Sequence, residues 1–235
     1  MQLWIPTPGR RRESTAGFPF PTSRRAFVQW TGLSLFATAI ACSDDNGSGV
    51  GPPPGGSIDL GTGDTAVLNY AYALEQLEAE FYTQVANAPF SGITPDEQAI
   101  LTDIRDHEVV HRDFLKSALG SSAIPTLTFD LSTVNLNDRN SVLSAARTFE
   151  DLGVAAYNGA GRLLTNSDNL LNAGRIVSVE ARHAAVIREL LDPGTDAFAG
   201  DVVDAQGRDR ALPPSQVLSA AAPFFRQTIS AGSLP

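Results

Sequence analysis

The chain predicts an all-α fold, a four-helix bundle with one long crossover between its second and third helices and a short C-terminal extension. Three observations predict it. Apolar residues recur every three or four positions along four long stretches, the period of a helix that buries one face. Capping and breaking residues stand at the ends of those stretches. The connection between the second and third, about eighteen residues including Pro125-Thr-Leu-Thr-Phe-Asp130, is longer than an antiparallel hairpin needs. A single long connection in the middle is how a bundle crosses from one hairpin to the next.

The first helix opens at Asp64-Thr65, which can cap it, and carries Val67, Tyr70, Ala71, Leu74, Leu77, Phe81 and Val85 on one face until Pro89 ends it. Thr94-Pro95-Asp96-Glu97 reads as an N-cap, a proline at the first helical position and the acid of a capping box. The second helix then runs along Ile100, Ile104, His111, Leu115 and Leu119, and Gly120 closes it. The third starts near Asp138 and passes through Val142, Ala146, Phe149, Gly153, Ala156, Ala160 and Leu163; the fourth covers about Leu170 to Leu191, before Pro193-Gly194. These helices bound a domain over residues 64–191. In the extension, 192–235, the spacing of Asp201, Asp204, Gly207 and Asp209 does not fit an EF-hand loop. It continues through Pro213-Pro214 and a short apolar helix toward Phe224 and Phe225, and is expected to pack on the bundle.

Residues 1–42 read as an export signal. Ser23-Arg24-Arg25-Ala26-Phe27-Val28 precedes a largely apolar run from Trp30 to Ala41, and the paired arginines favour the twin-arginine route over the general secretory one. Ala39-Ile40-Ala41-Cys42 resembles the box at which bacterial lipoproteins are cleaved and acylated on cysteine, although Ala39 stands where leucine is usual. Simple cleavage at the Ala-x-Ala-like site is the competing reading. The apolar run is shorter than the ~20 residues that span a bilayer, so a lipid on Cys42 would be the only membrane attachment. Residues 43–63, rich in Gly, Pro, Ser and Asp, read as a tether reaching roughly 25 Å. The expected location is the periplasm or the membrane-anchored cell envelope. With the only cysteine consumed, no disulfide can form in the domain.

The formal charge is −9. Five arginines against one glutamate lie in the signal, so its removal leaves about −13. Such a surface repels phosphate backbones, which argues against nucleic acid as a partner, and attracts cations. At 43% hydrophobic residues the chain has enough apolar material for one core.

Each helix also places Glu or His on its apolar stripe, where an unpaired charge is costly. Glu108 and His111 continue the line of Ile100, Ile104 and Leu115; Glu180 and His183 interrupt Ile176, Ile187 and Leu190. Residues three apart share a helix face, so each pair can grip one ion. Glu75, Glu78 and Tyr82 share a face of the first helix, and Glu150 and Tyr157 one of the third, with seven residues from Glu75 to Tyr82 and from Glu150 to Tyr157. Glu75 precedes Glu108 by thirty-three residues and Glu150 precedes Glu180 by thirty, so the chain reads as two similar hairpins around a pseudo-twofold site. One glutamate from each of two helices and Glu-x-x-His from each of the others is the ligand set of di-iron and di-manganese carboxylate bundles. Hard carboxylates with two imidazoles suit iron or manganese better than copper or a structural zinc.

LNYAYALEQLEAEFY, DHEVVH, Glu150 to Tyr157 and VEARH together resemble the ferritin-like superfamily, particularly exported ferritin-like proteins related to plant desiccation-induced proteins, over about residues 64–191. The resemblance implies Glu75, Glu108, His111, Glu150, Glu180 and His183 as metal ligands. Glu78 is an additional acid that could replace Glu75 or support it from behind. Tyr82 and Tyr157 read as core aromatics whose hydroxyls bond site carboxylates. His107-Glu108-Val109-Val110-His111 also spells the His-Glu-x-x-His of zinc peptidases, but that reading needs a third ligand and leaves Glu150, Glu180 and His183 unexplained. His107 lies some 40° beyond His111 around the helix, which favours a place behind the ligands or on the surface.

The expected function is binding of two iron or manganese ions that act on dioxygen or peroxide, as a ferroxidase, peroxidase, catalase-like enzyme or oxidase; fold and ligand set do not choose among these. The competing class is a non-enzymatic envelope protein of drying or oxidative stress, with a structural or vestigial metal site. Storage in a hollow shell fits a tethered chain poorly, and a homodimer is left open.

Overall fold

The computed structural model describes residues 57–235. The export signal, Cys42 and most of the tether lie outside the described residues. Four long helices dominate: α1 (Gly63–Asn87), α2 (Pro95–Leu119), α3 (Arg139–Ala160) and α4 (Ser167–Leu191). α1 packs mainly on α2 and α3 mainly on α4, as two hairpins with short connections. Residues 120–138 cross from one hairpin to the other. Among the described residues no helix is long and apolar enough to cross a membrane.

The helix ends follow local chemistry, with two departures from expectation. Thr94 and Glu97 form the anticipated capping box at the start of α2, and Asp138 accepts from the Ser141 backbone N–H at the start of α3. Gly120 ends α2 at φ 54°, a left-handed value that glycine adopts without strain. Asp64, however, does not cap its own helix. Its carboxylate accepts from Thr165 N–H at 2.8 Å, Asn166 N–H at 3.0 Å and the Asn169 side chain, tying the start of α1 to the start of α4. α4 in turn begins three residues before the expected Leu170, because the Asn166 side chain accepts from the backbone of Asp168 and Asn169.

The core fills the space between the hairpins. Phe81 stacks edge-on against both Tyr82 and Phe149, and Phe149 against Phe224. Two buried polar side chains on α1, Asn69 and Gln76, use that burial to hold the crossover. Asn69 donates to Leu60 O and Ser122 O and accepts from Ile124 N–H, and Gln76 accepts from Leu127 N–H at 2.9 Å. Buried polar groups are stable only when bonded, so these contacts fix the path of the chain.

The end of the predicted tether is folded. Ser57–Asp59 forms a strand, β1, paired in parallel with β2, Thr228–Ser230, and Ile58 and Leu60 are buried. A period-based reading missed this pairing because three-residue strands carry no periodicity.

The extension contacts the bundle through α3 and α4. It contains a short helix, α5 (Pro214–Ala221), against α3. Leu212 N–H donates to Ala155 O of α3 at 3.0 Å, and Asn158 donates to Arg210 O. Gly159 makes that approach possible: a Cβ there would lie 1.8 Å from Leu212 O. Arg188 of α4, almost fully buried, forks onto Asp151 and also bonds Asp201 and Ala197 O, pinning the start of the extension.

Candidate metal centre

Midway along the bundle the four helices bring their stripe acids and histidines to one buried place. Glu75, Glu108, Glu150 and Glu180 are each 0% exposed, and His183 and His111 are nearly as enclosed. Their donor atoms form two overlapping groups. Glu75, Glu108, His111 and Glu180 make one; Glu108, Glu150, Glu180 and His183 make the other, and the donors within each lie within 4.8 Å of one another. Glu108 and Glu180 belong to both.

The histidines cross between hairpins. His111 Nδ1 of α2 lies 2.8 Å from Glu180 Oε1 of α4, and His183 Nδ1 of α4 lies 2.8 Å from Glu108 Oε1 of α2. His111 Nδ1 is also 3.4 Å from Glu75 Oε2, and His183 Nδ1 is 3.5 Å from Glu150 Oε2. Close as they are, none of these contacts has hydrogen-bond geometry. Both imidazole Nδ1 atoms, both oxygens of Glu108 and Glu180, and Oε2 of Glu75 and Glu150 are buried without a hydrogen-bond partner.

The tyrosines select which oxygens stay unpartnered. Tyr157 of α3 donates to Glu75 Oε1 at 2.5 Å, and Tyr82 of α1 donates to Glu150 Oε1 at 2.6 Å. Each tyrosine therefore braces the glutamate of the opposite helix and turns its Oε2 inward. Burial, followed by the nearby carboxylates, raises both phenol pKa values well above the ordinary range, so both hydroxyls remain donors.

This donor set fits metal cations. Eight buried atoms converge on two points without bonding one another, an arrangement that hydrogen bonding within the protein would not select. Buried carboxylates in this number need cations or protons to balance them. Without cations the pocket answers with protons. Burial first, and then neighbouring carboxylates, push Glu180 and Glu78 well above the usual range, and burial pushes Glu108 up despite the two nearby imidazoles. Burial opposes charge on the imidazoles, but Glu108 and Glu150 outweigh it and raise His183 to about 10. His111 is also raised, burial being outweighed by Glu108, Glu180 and Glu75.

Glu78 is buried but belongs to neither donor group, so the structure brings Glu75, not Glu78, to the centre. Glu78 faces α3 at Gly153, where a Cβ would come within 3.0 Å of its Oε1. Sequence reasoning placed Gly153 on a core face without seeing that it makes room for this acid. Its signal was available, since glycine inside a buried helix face costs about 1 kcal/mol relative to alanine and needs a reason. His107 also lies outside both groups. It is exposed, and its Nδ1 lies 2.9 Å from Nε2 of His183. His107 and His111 thus do not share a donor set, which removes the geometric support for a His-Glu-x-x-His peptidase.

Paired hairpins carrying two overlapping carboxylate and imidazole groups define the class of four-helix carboxylate bundles. The family profile described as ferritin-like domain matches residues 63–193, more than half of the chain, and the protein belongs to that family. No curated protein matches the sequence.

Proposed function

We propose that the protein binds two iron or manganese ions between its four helices and uses them in redox chemistry on dioxygen or peroxide. The observation that carries this reading is the pair of overlapping donor groups sharing Glu108 and Glu180. Bound there, such ions supply one-electron redox steps and open positions for an oxygen-derived ligand. Glu75 with His111 and Glu150 with His183 would each hold one ion, and Glu108 and Glu180, which belong to both donor groups, would serve both. Tyr157 and Tyr82 keep the outer carboxylate oxygens occupied and leave Oε2 of Glu75 and Glu150 for ligation. The enclosing helices exclude bulk water. The carboxyls and imidazoles must give up protons on ligation, so binding releases acid and strengthens as pH rises.

We further infer that the chain works outside the cytoplasm, in the periplasm or held to the envelope through Cys42, on the strength of the paired arginines and the Ala39-Ile40-Ala41-Cys42 box. One observation also favours a second reading. The donors come from all four helices, so bound ions would cross-link the two hairpins, a stabilising role suited to an envelope protein under drying or oxidative stress.

The test is anaerobic loading of metal-free protein with Fe(II) or Mn(II), followed by oxygen and by peroxide. Two ions per chain, with ferrous oxidation or peroxide consumption, is the expected result. Loading without either reaction leaves only the stabilising role, and failure to load removes both readings.

A further inference from the structure

The two histidines of the centre are not equally supported. His183 carries His107 on its outer nitrogen, with Nδ1 of His107 2.9 Å from Nε2 of His183. The ring planes differ by 9° and the centroids are 5.1 Å apart. That separation corresponds to the nitrogen contact plus the two ring radii, so the imidazoles meet end to end in nearly one plane. In-plane lone pairs and N–H bonds then point along the contact, which is good hydrogen-bond geometry. The inner nitrogen of His183 is the one that faces the carboxylates. For it to ligate an ion it must be unprotonated, which puts the ring proton on Nε2 and makes His107 the acceptor.

The pseudo-twofold offers a comparison. Glu108 and His111 of α2 correspond to Glu180 and His183 of α4, so the counterpart of His107 is Val179, which has no hydrogen-bonding group. The ferritin-like bundle is thus duplicated in its ligands but not in what stands behind them.

We propose that His107 is a positioning residue of the centre: by accepting the Nε2 proton of His183 it fixes the tautomer that offers Nδ1 to an ion, and so makes the position at His183 the tighter of two unequal sites. This rests on the two-ion reading above. Partners of this kind change metal affinity by roughly 10–100-fold when removed.

The experiment titrates metal-free protein with cobalt(II), reading its ligand-field absorption, in wild type, His107→Val and His107→Asn. Wild type is expected to bind two ions in separable steps. His107→Val, which copies Val179, should weaken the first step by about 10–100-fold and merge it with the second. His107→Asn, whose Oδ1 can accept at nearly the place of Nδ1, should restore it. Because His107 is exposed, the fold should tolerate both changes. Unchanged affinities in His107→Val, or His107→Asn as weak as His107→Val, would overturn the proposal while leaving the two-ion reading intact. Wild type that binds no cobalt(II) would overturn both.

Discussion

The hairpin α1–α2 and the hairpin α3–α4 carry the same chemistry on different supports. Glu75 matches Glu150, Tyr82 matches Tyr157, and Glu108-His111 matches Glu180-His183. Even the bracing is reciprocal, since each tyrosine holds the other helix's glutamate. The surroundings diverge. Glu78 faces Gly153, His107 corresponds to Val179, and the extension hydrogen-bonds α3 and α4 in addition to the crossover and β1. The difference shows which features the centre requires twice, namely charge, ligand type and a tyrosine brace, and which the two halves are free to vary.

The largest effect expected from breaking this symmetry is at the shared carboxylates. Glu108→Ala or Glu180→Ala removes a donor from both groups and should abolish binding of both ions, whereas Glu75→Ala or Glu150→Ala should spare the opposite position; elemental analysis of purified variants distinguishes these outcomes.

Next in size is the covered face. Gly159→Ala puts a methyl group into the Leu212 carbonyl and should cost about 3 kcal/mol, with the extension becoming accessible to protease. Gln84→Ala, at the corresponding position of α1, removes a partly buried side chain bonded only within its own helix to Glu80 and should cost no more than about 0.5–1 kcal/mol. Equal effects in urea melts would show that the extension does not discriminate between the hairpins.

The pH dependence should be intermediate. His183, faced by Glu108, Glu150 and Glu180 and bonded to His107, is raised from 6.5 to about 10 in the metal-free fold, burial notwithstanding. Its stabilisation is complete below 6.5 and is lost as pH rises through about 10. Glu78 and Glu180 act in the same direction, because burial keeps their protons in the folded state above pH 4.5, where the unfolded chain has released them. The melting temperature of metal-free protein should therefore fall from pH 6.5 to 10, and divalent metal should flatten or reverse that slope. The smallest change is Gly153→Ala, which crowds Glu78 and should cost about 1–2 kcal/mol while leaving metal content unchanged.

Much of the centre was legible in the sequence because ligands must lie on helix stripes, and stripes have a period. Glu-x-x-His occurs on α2 and α4 at the phase of Ile104, Leu115, Ile176 and Ile187, which fixed both pairs on the inner face. The choice of Glu75 over Glu78, which share a face of α1, rested on the seven-residue spacing from Glu75 to Tyr82 that recurs from Glu150 to Tyr157; the room that Gly153 leaves for Glu78 across the interface was not legible. Nor was the path of the crossover and extension. Asn69 and Gln76 hold the crossover, Arg188 and Gly159 the extension, and β1 pairs with β2 across nearly the full length of the domain. Such long-range pairings leave only local oddities in a sequence, a polar residue on a core stripe or a glycine within a helix.

The most direct measurement of the central claim is anomalous diffraction from crystals of the iron- or manganese-loaded protein. Two distinct peaks are expected, one among Glu75, Glu108, His111 and Glu180 and the other among Glu108, Glu150, Glu180 and His183. A single peak, or metal held by His107 and His111 together, would contradict the account.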